Sequence, residues 1–270
     1  RYIRRQRQMC IRDSLRVIKK ISWTSGTIYE MYRQDYSINK LSPQTNSTSL
    51  YNTNFYVMNS DFRVYECIYN GASPSNSGAG VISLEEPTHT DLQPRLESDG
   101  YIWKYLYTIK PSDIIKFDSA DYIPVPSEWL TSNDTADVRN AAVDGKIETV
   151  VIEDVTNASY QFNGTKNNVP IRGDGSDALA SVTFINGKPS AVQVTNGGSG
   201  YSFGTLDLDD VVTGSGASFS VIIPPPGGHG ADIYREMGAN KVLVYSRIEN
   251  SDVTNPDFPT GNQFARIGIV

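Results

Sequence analysis

The sequence predicts a mainly β fold: a β-sandwich-like domain with short helices, into which a β-rich region of two repeats is inserted. Short aromatic and β-branched runs are separated by Ser, Asn, Gly and Pro, as in loop-rich β proteins. A hydrophobic content of 39%, with 22 Gly, 14 Pro and 16 Tyr, is typical of a globular chain, and 270 residues suffice to bury a core. A turn-and-strand pattern that recurs after about forty residues predicts the two repeats.

Composition argues against several classes of function. The formal net charge is −6 and no Lys/Arg run occurs after the first twenty residues, so no nucleic-acid surface is expected. The apolar runs have the length of strands, which predicts no transmembrane helix. The two cysteines, Cys10 and Cys67, are too few for a disulfide scaffold and fit a reducing compartment. Cys67 lies in the apolar run VYECIY, which predicts a buried, unreactive thiol.

The two ends of the chain are expected to be foreign or incomplete. Residues 1–14, RYIRRQRQMCIRDS, contain a stretch whose back-translation resembles a sequencing adapter read in frame, so we expect an assembly artefact. The other interpretation is a disordered basic tail, since the segment lacks the apolar core of a signal peptide. The last residues, ARIGIV, end within a predicted strand, and we therefore expect truncation at both ends.

Residues 15–143 are predicted to form the first part of the β-rich core. The runs FYVM and FRVYECIY predict a hairpin that turns at residues 59–61, and residues 71–98 predict a long polar loop. The stretch SDGYIWKYLYTI predicts a strand, and KPSDIIKF predicts a short turn capped by Ser112. SADYIPVPSEW is typical of a Pro-containing edge strand, and LTSNDTADVRNAAV predicts a helix.

Residues 144–223 are predicted to form two tandem β modules. DGKIETVVIEDVTNASYQF (144–162) aligns with NGKPSAVQVTNGGSGYSF (186–203), and each segment continues into a Gly-rich, small-residue run. Each module is expected to contain a turn, an alternating strand, a second turn and a second strand. Residues 224–270 then return to the β-rich core through a Pro-Gly linker, a short helix ending at Gly238 and a strand.

Patterns that could mark a ligand or metal site have simpler structural interpretations. NGGSGYSFG lacks the strand-before, helix-after context of a phosphate loop and predicts a tight turn. RGDGSD has two carboxylates but too few oxygen ligands for calcium, which favours a polar hairpin turn. His89 and His229 stand apart from any HxxxH, CxxC or His–carboxylate cluster, so no zinc site and no cofactor are expected. Glu97 or Asp99 could serve a glycan hydrolase only with a second carboxylate about 5–10 Å away.

The strand YIWKYLYTI has four aromatic side chains on one face at a period of two: Tyr101, Trp103, Tyr105 and Tyr107. Its other face carries Ile, Lys, Leu and Thr, so Lys104 is the one charge of the strand. A ligand-stacking platform, a buried strand and an interface with another chain are the three interpretations. Two largely apolar faces favour a core or interface strand over an exposed platform, and we expect the four aromatic side chains to point inward.

The segment SDGYIWKYLYTIKPSD, followed by SADYIPVP, resembles the DGYxWxYLxxI…YIxVP signature of a baseplate wedge subunit of contractile-tailed bacteriophages, the gene product 8 family. Three further segments are similar to that family, the last of them to versions from phages of marine bacteria: WTSGTIYEMYRQDYS, YVMNSDFRVYECIYN and GGHGADIYREMGANKVLVYSRIEN. The similar segments cover most of 21–143 and 224–270. Residues 144–223 depart from the compact members of the family and look like an insertion.

The resemblance implies a structural virion protein of the tail baseplate, assembled in the bacterial cytoplasm, rather than an enzyme. It implies a mainly β dimer whose partners are other wedge proteins, with no catalytic residues, cofactor, nucleic acid, membrane or small-molecule substrate. The alternative is a tail adhesin whose inserted modules bind host glycans. In that interpretation the turn or contact residues are Tyr160, Asn196 and Tyr201.

Overall fold

The computed structural model of the chain describes residues 11–133, 135–208 and 211–246. These residues form a mainly β fold with three short helices and several antiparallel sheets, so the predicted fold class is confirmed. None of the helices in these three ranges is long and apolar enough to span a membrane.

The regular elements are short, and the strands supply most of the structure. In chain order the strands are β1 (Ile11–Lys19), β2 (Tyr56–Met58), β3 (Arg63–Tyr69), β4 (Arg95–Leu96), β5 (Ile102–Thr108), β6 (Tyr122–Pro124), β7 (Val150–Asp154), β8 (Ser159–Tyr160), β9 (Gly164–Gly173), β10 (Ser176–Ile185), β11 (Lys188–Ser199), β12 (Gly204–Leu206), β13 (Gly214–Ser215), β14 (Ser218–Val221) and β15 (Lys241–Ser246). The α-helices are α1 (Pro111–Phe117), α2 (Ala136–Ala141) and α3 (Ile233–Glu236), and single 3₁₀ turns span Leu50–Asn52 and Pro74–Asn76.

The aromatic strand β5 lies inside a four-stranded antiparallel sheet of order β2-β3-β5-β4. The predicted hairpin joins β2 to β3, and the side chain of Asn59 holds its turn by accepting hydrogen bonds from the backbone N–H groups of Asp61 and Arg63. Strand β5 pairs with β3 on one side and with the two-residue β4 on the other. The sequence therefore predicted both the hairpin and the strand correctly.

A second sheet, of order β15-β1-β6, joins the first and last described segments of the chain. The Pro-containing strand β6 lies at its edge, as predicted, since a proline cannot donate to a ladder. Residues 11–14 belong to β1 and pair with β15, so the prediction of a disordered tail as far as residue 14 is wrong for these four residues. Residues 1–10 and the predicted strand beyond residue 246 lie outside the described ranges.

The helices follow the predicted positions but not every predicted cap. Helix α1 begins after Lys110, whose side chain makes no capping bond, and Ser112 lies in the first turn, so the predicted Ser112 cap is wrong. Helix α2 occupies part of the segment that predicted a helix. Helix α3 is capped by the Asp232 side chain, and Gly238 follows it with φ +63°, which agrees with the predicted glycine stop.

The inserted region contains a sheet of order β11-β10-β9-β12 and the two strand pairs β7–β14 and β8–β13. The β10–β11 hairpin turns at Asn186 and Gly187, whose φ values of +52° and +71° are the consecutive positive angles that a type I′ turn requires. The other predicted turn, at residues 144–145, is also present. Both module-opening turns are therefore confirmed.

The two modules are interlocked rather than arranged one after the other. Strand β7 of the first module pairs with β14 of the second, with Val150 opposite Val221. Strand β11 of the second module pairs with β10 of the first, with Val192 opposite Val182. The Tyr201 N–H donates to the Gly145 carbonyl, and the Tyr160 N–H donates to the Gly187 carbonyl. Each module thus supplies the strand and the turn that the other one lacks, which the repeat alignment did not predict.

Buried apolar side chains form two clusters. The first cluster draws on residues 18–138 and 222–239 together with Val151, and the second draws on residues 147–221. The predicted division at 143/144 and 223/224 runs close to this change of membership and stays a prediction. Cys67 is fully buried in the first cluster, which confirms its predicted burial, and burial raises the pKa of its thiol well above the ordinary value.

Candidate functional site

The aromatic face of β5 is part of the interior. Tyr101 and Trp103 are fully buried and Tyr107 is 3% exposed, whereas Tyr105 is half-buried at the margin of the same cluster. The Tyr101 and Trp103 rings are stacked, with centroids 5.3 Å apart, and Tyr29 packs edge-on against Trp103. These rings pack against one another and not against solvent, so they offer no open platform to a ligand.

The opposite face of β5 is also more buried than simple alternation predicts. The pairing with β3 contains two register shifts, and Lys104, expected as the one charge of the strand, is only 2% exposed. Its Nζ donates to the Leu92 carbonyl. The strand is therefore covered on both faces, and whether any part of it meets a partner chain stays a prediction.

The predicted contact residues of the insertion have different environments. Tyr160 and Tyr201 are 7% and 4% exposed, and the Tyr201 hydroxyl donates to the Ile171 carbonyl. The prediction that these two rings contact a glycan is therefore wrong, because both rings are buried beneath the turns of the modules. Asn196 is exposed, and nearby Phe203 is 60% exposed, a surface aromatic that the sequence did not single out.

Two carboxylates that could have served catalysis or calcium binding hold turns instead. Asp99 accepts hydrogen bonds from the Ser83 hydroxyl and from the backbone N–H groups of Leu84, Glu85 and Tyr101. Asp174, in the RGDGSD segment, accepts from the hydroxyl and N–H of Ser202 and from the next N–H, and these bonds lower its pKa to about 2. The oxygens of both carboxylates therefore accept hydrogen bonds that hold their own loops together.

Three buried titratable side chains meet inside the first cluster: Glu66 of β3, His229 of the glycine-rich loop before α3, and Glu236 at the end of α3. The His229 Nδ1 lies 2.8 Å from Glu236 Oε1 and 2.9 Å from Glu66 Oε2. Their exposures are 0%, 6% and 2% in chain order. The prediction that no His–carboxylate cluster occurs is therefore wrong, because folding brings together residues that are 163 positions apart.

The glycine-rich loop orients this centre, which we call the Glu–His–Glu centre. Gly228 has φ +91°, and a Cβ there would lie 2.3 Å from the Val143 carbonyl oxygen, so a larger residue would displace the loop. The Gly230 N–H donates to Glu236 Oε2 over 2.8 Å, and the Tyr32 ring packs edge-on against the imidazole. The loop thus fixes both His229 and one oxygen of Glu236.

The electrostatics of the Glu–His–Glu centre differ between its two carboxylates. Burial, helped by the nearby Glu236, raises the pKa of Glu66 to about 8. Burial alone would raise the pKa of Glu236 too, but the hydrogen bond and charge of His229 lower it. Burial would lower the pKa of His229, yet the two carboxylates raise it to about 10. The two carboxylates therefore compete for one imidazole, and Glu236 is the one that forms the hydrogen bond with it.

The sequence contained one signal for this centre. A glutamate in the otherwise apolar run VYECIY must be buried if the strand is central, and buried glutamates need a partner. That partner could not be identified from spacing, because His229 and Glu236 follow only after the insertion.

An open cleft of about 420 Å³ lies between the two clusters. One side is formed by Tyr69, Leu96 and Ile102 of the first four-stranded sheet, and the other by Lys146, Glu148 and neighbouring residues of the insertion. The Lys146 ammonium reaches across it to the Gln93 side chain over 2.6 Å.

Comparison of the chain with protein-family models, with curated proteins and with solved structures finds no match in any of the three.

Proposed function

We propose that this chain is a structural component of a phage tail baseplate wedge, which holds neighbouring wedge subunits in register through its β-domain surfaces. One observation supports the proposal: the segments that resemble the wedge family are also the segments that share one buried cluster. Residues 23–37 contribute Tyr29 and Tyr32, the aromatic strand contributes Trp103, and residues 227–250 contribute Ile233 and Met237.

This arrangement suits a mechanical role. A residue pattern spread over distant segments is retained most easily when its members pack on each other, because each then constrains the others. The resemblance implies a dimer in contact with other wedge proteins, and the outer surfaces of the sheets would carry those contacts. We propose no catalytic residue, cofactor or small-molecule substrate for this role.

Co-assembly tests this proposal. The chain is co-expressed with the wedge subunits encoded beside it, captured by an affinity tag, and analysed by size-exclusion chromatography with light scattering. We expect a dimer that co-elutes with at least one wedge subunit, whereas the capsid protein of the same phage, as a control, elutes separately. A monomer that elutes apart from every wedge subunit would contradict the proposal.

A second candidate function, host-glycan binding by the insertion, is favoured by a different observation. Asn196 and Phe203 are both exposed in the turn segment 196–204, and an exposed aromatic ring next to amide groups is a suitable surface for a sugar. A glycan array with the whole chain and with Phe203→Ala tests it. Binding that the substitution abolishes supports the adhesin, and an array without any signal rejects it.

A further inference from the structure

Glu66 and Glu30 are equally buried carboxylates with very different surroundings. Glu30 accepts hydrogen bonds from three backbone N–H groups, which compensates for its loss of water. Neither oxygen of Glu66 has a hydrogen-bond partner among the described residues. The His229 Nδ1 lies 2.9 Å from Glu66 Oε2 but forms its hydrogen bond with Glu236, and one N–H proton cannot serve both carboxylates.

No lysine or arginine side chain of the described residues compensates for the second carboxylate. Lys104 lies directly opposite Glu66 in the β3–β5 ladder and is equally buried, yet its Nζ donates to the Leu92 carbonyl. Across the described ranges, no lysine or arginine nitrogen lies within ion-pairing distance of Glu66 or Glu236. The Glu–His–Glu centre therefore gathers two buried acidic groups around one imidazole, with no lysine or arginine beside them.

The three donor atoms lie close enough together to converge on one metal ion after small shifts. One ligand atom from each residue lies within 4.8 Å of the other two, and the two Nδ1–oxygen distances are 2.8 and 2.9 Å. Two donors that share a tetrahedral ion, each about 2.1 Å from it, lie about 3.4 Å apart, so each carboxylate oxygen would move away from Nδ1 by about half an ångström on binding. The Gly230 N–H on the second oxygen of Glu236 is the kind of outer hydrogen bond that orients a ligating carboxylate.

We propose that Glu66, His229 and Glu236 form a buried binding site for one divalent transition-metal ion of the Zn²⁺ class. An imidazole nitrogen with two carboxylates favours such an ion over Ca²⁺ or Mg²⁺, which prefer oxygen donors alone. The ion would fasten the glycine-rich loop and α3 to β3, and so join the parts of the first cluster that flank the insertion. This inference is independent of the proposed baseplate role.

Metal titration of the whole chain tests the site. The purified chain is stripped with a chelator, and Zn²⁺ alone is added while heat of binding, bound zinc and melting temperature are measured. We expect one tightly bound zinc per chain and a melting temperature raised by about 5 °C or more at saturation. Absence of tight zinc, or tight zinc that leaves the melting temperature unchanged, overturns the proposal.

Variants locate the ion. Glu66→Gln removes a ligand and a buried acid with little change of shape, and we expect zinc affinity to fall at least about tenfold. His89→Gln, which changes the other histidine, is the matched control and should bind zinc as the parent chain does. Zinc binding that survives Glu66→Gln unchanged marks an adventitious surface site and overturns the proposal. Co²⁺ gives a second measurement: its visible absorption in the parent chain should disappear in Glu66→Gln.

Discussion

At the scale of the residue, two buried tryptophans differ in the hydrogen bonding of the indole N–H. Trp103 and Trp129 are both fully buried in the first cluster. The Trp129 Nε1 donates to the carbonyls of Gly230 and Ala231, which ties the middle of the chain to the glycine-rich loop. The Trp103 Nε1 has no hydrogen-bond partner among the described residues, so its indole contributes through packing alone.

This difference predicts unequal costs for the same substitution. Trp129→Phe leaves the buried Gly230 carbonyl and the half-buried Ala231 carbonyl without their donor and opens a cavity, and it should lower the free energy of unfolding by about 3–5 kcal/mol. Trp103→Phe removes the five-membered part of the indole together with its unsatisfied N–H, and the loss should be about 1–2 kcal/mol. Urea denaturation of both variants measures the difference. Equal losses, or a larger loss for Trp103→Phe, would refute the role given to the Trp129 hydrogen bonds.

At the scale of the element, the insertion depends on glycines where one module's turn touches the other module. Gly145 has φ +62°, and a Cβ there would lie 2.1 Å from the Tyr201 nitrogen. Its equivalent, Gly187, has φ +71° and would place a Cβ 2.6 Å from the Tyr160 carbonyl oxygen. The same residue type is needed at both positions because the two contacts are reciprocal.

Alanine substitutions separate backbone strain from this contact. Gly145→Ala should lower the free energy of unfolding by about 3 kcal/mol or more, since both the positive φ and the backbone of residue 201 oppose the methyl group. Gly26→Ala is the matched control, because Gly26 has φ +87° but open space around it, and it should cost only about 1 kcal/mol. The measurement is thermal or urea unfolding. Similar losses in the two variants would show that the close approach contributes nothing.

At the scale of the whole molecule, the interlocked modules predict that neither can fold alone. A fragment of residues 144–185 keeps the β9–β10 pair but lacks β14, the partner of β7, and β11, the second partner of β10. It should therefore give the narrow amide dispersion of an unfolded chain in a ¹H–¹⁵N spectrum. A fragment of residues 144–223 contains all these strands and the second cluster, and it should give dispersed signals. A folded 144–185 fragment would contradict the interlocked arrangement.

A charged network also joins the insertion to the rest of the chain. Glu153, at the end of β7, forms ion pairs through its Oε1 with an Arg33 guanidinium nitrogen at 2.7 Å and with the Lys40 Nζ at 2.6 Å. The same two cations also pair with Asp35. Burial would raise the pKa of Asp35, but Arg33 and Lys40 outweigh it and lower the pKa to about 2. Burial would likewise raise the pKa of Glu153, and hydrogen bonds from Lys40, Ser220 and Arg33 lower it.

The lowered pKa values of Asp35 and Glu153 predict how the free energy of unfolding depends on pH. Both folded pKa values lie below the unfolded values of about 4, so the contribution is complete above that pH and is lost as pH falls through the folded values, about 2 for Asp35. Glu153→Gln should weaken this dependence and cost about 1 kcal/mol at pH 7. The exposed Glu128→Gln is the control. Unfolding free energies measured from pH 5 to pH 2 check the prediction, which fails if both variants follow the parent chain.

The sequence alone determined those elements of the fold that depend on interactions between residues close together in the chain. The hairpin around Asn59, the aromatic strand, the edge strand with its proline and the glycine stop at Gly238 depend on near neighbours, whose propensities are readable. The burial of Cys67 follows from the same patterns. Ser112 was misplaced as a cap because a proline at the first helical position moved the helix start by one or two residues.

Only the tertiary structure decided which distant segments meet. Three features depend on residues that are far apart in the chain. They are the pairing of strands between the modules, the burial of Tyr160 and Tyr201, and the contact of Glu66 with His229 and Glu236. A repeat alignment or a motif spacing describes one segment at a time. The partner of a buried glutamate is instead selected by packing and desolvation over the whole fold, and these act only once the chain has closed on itself.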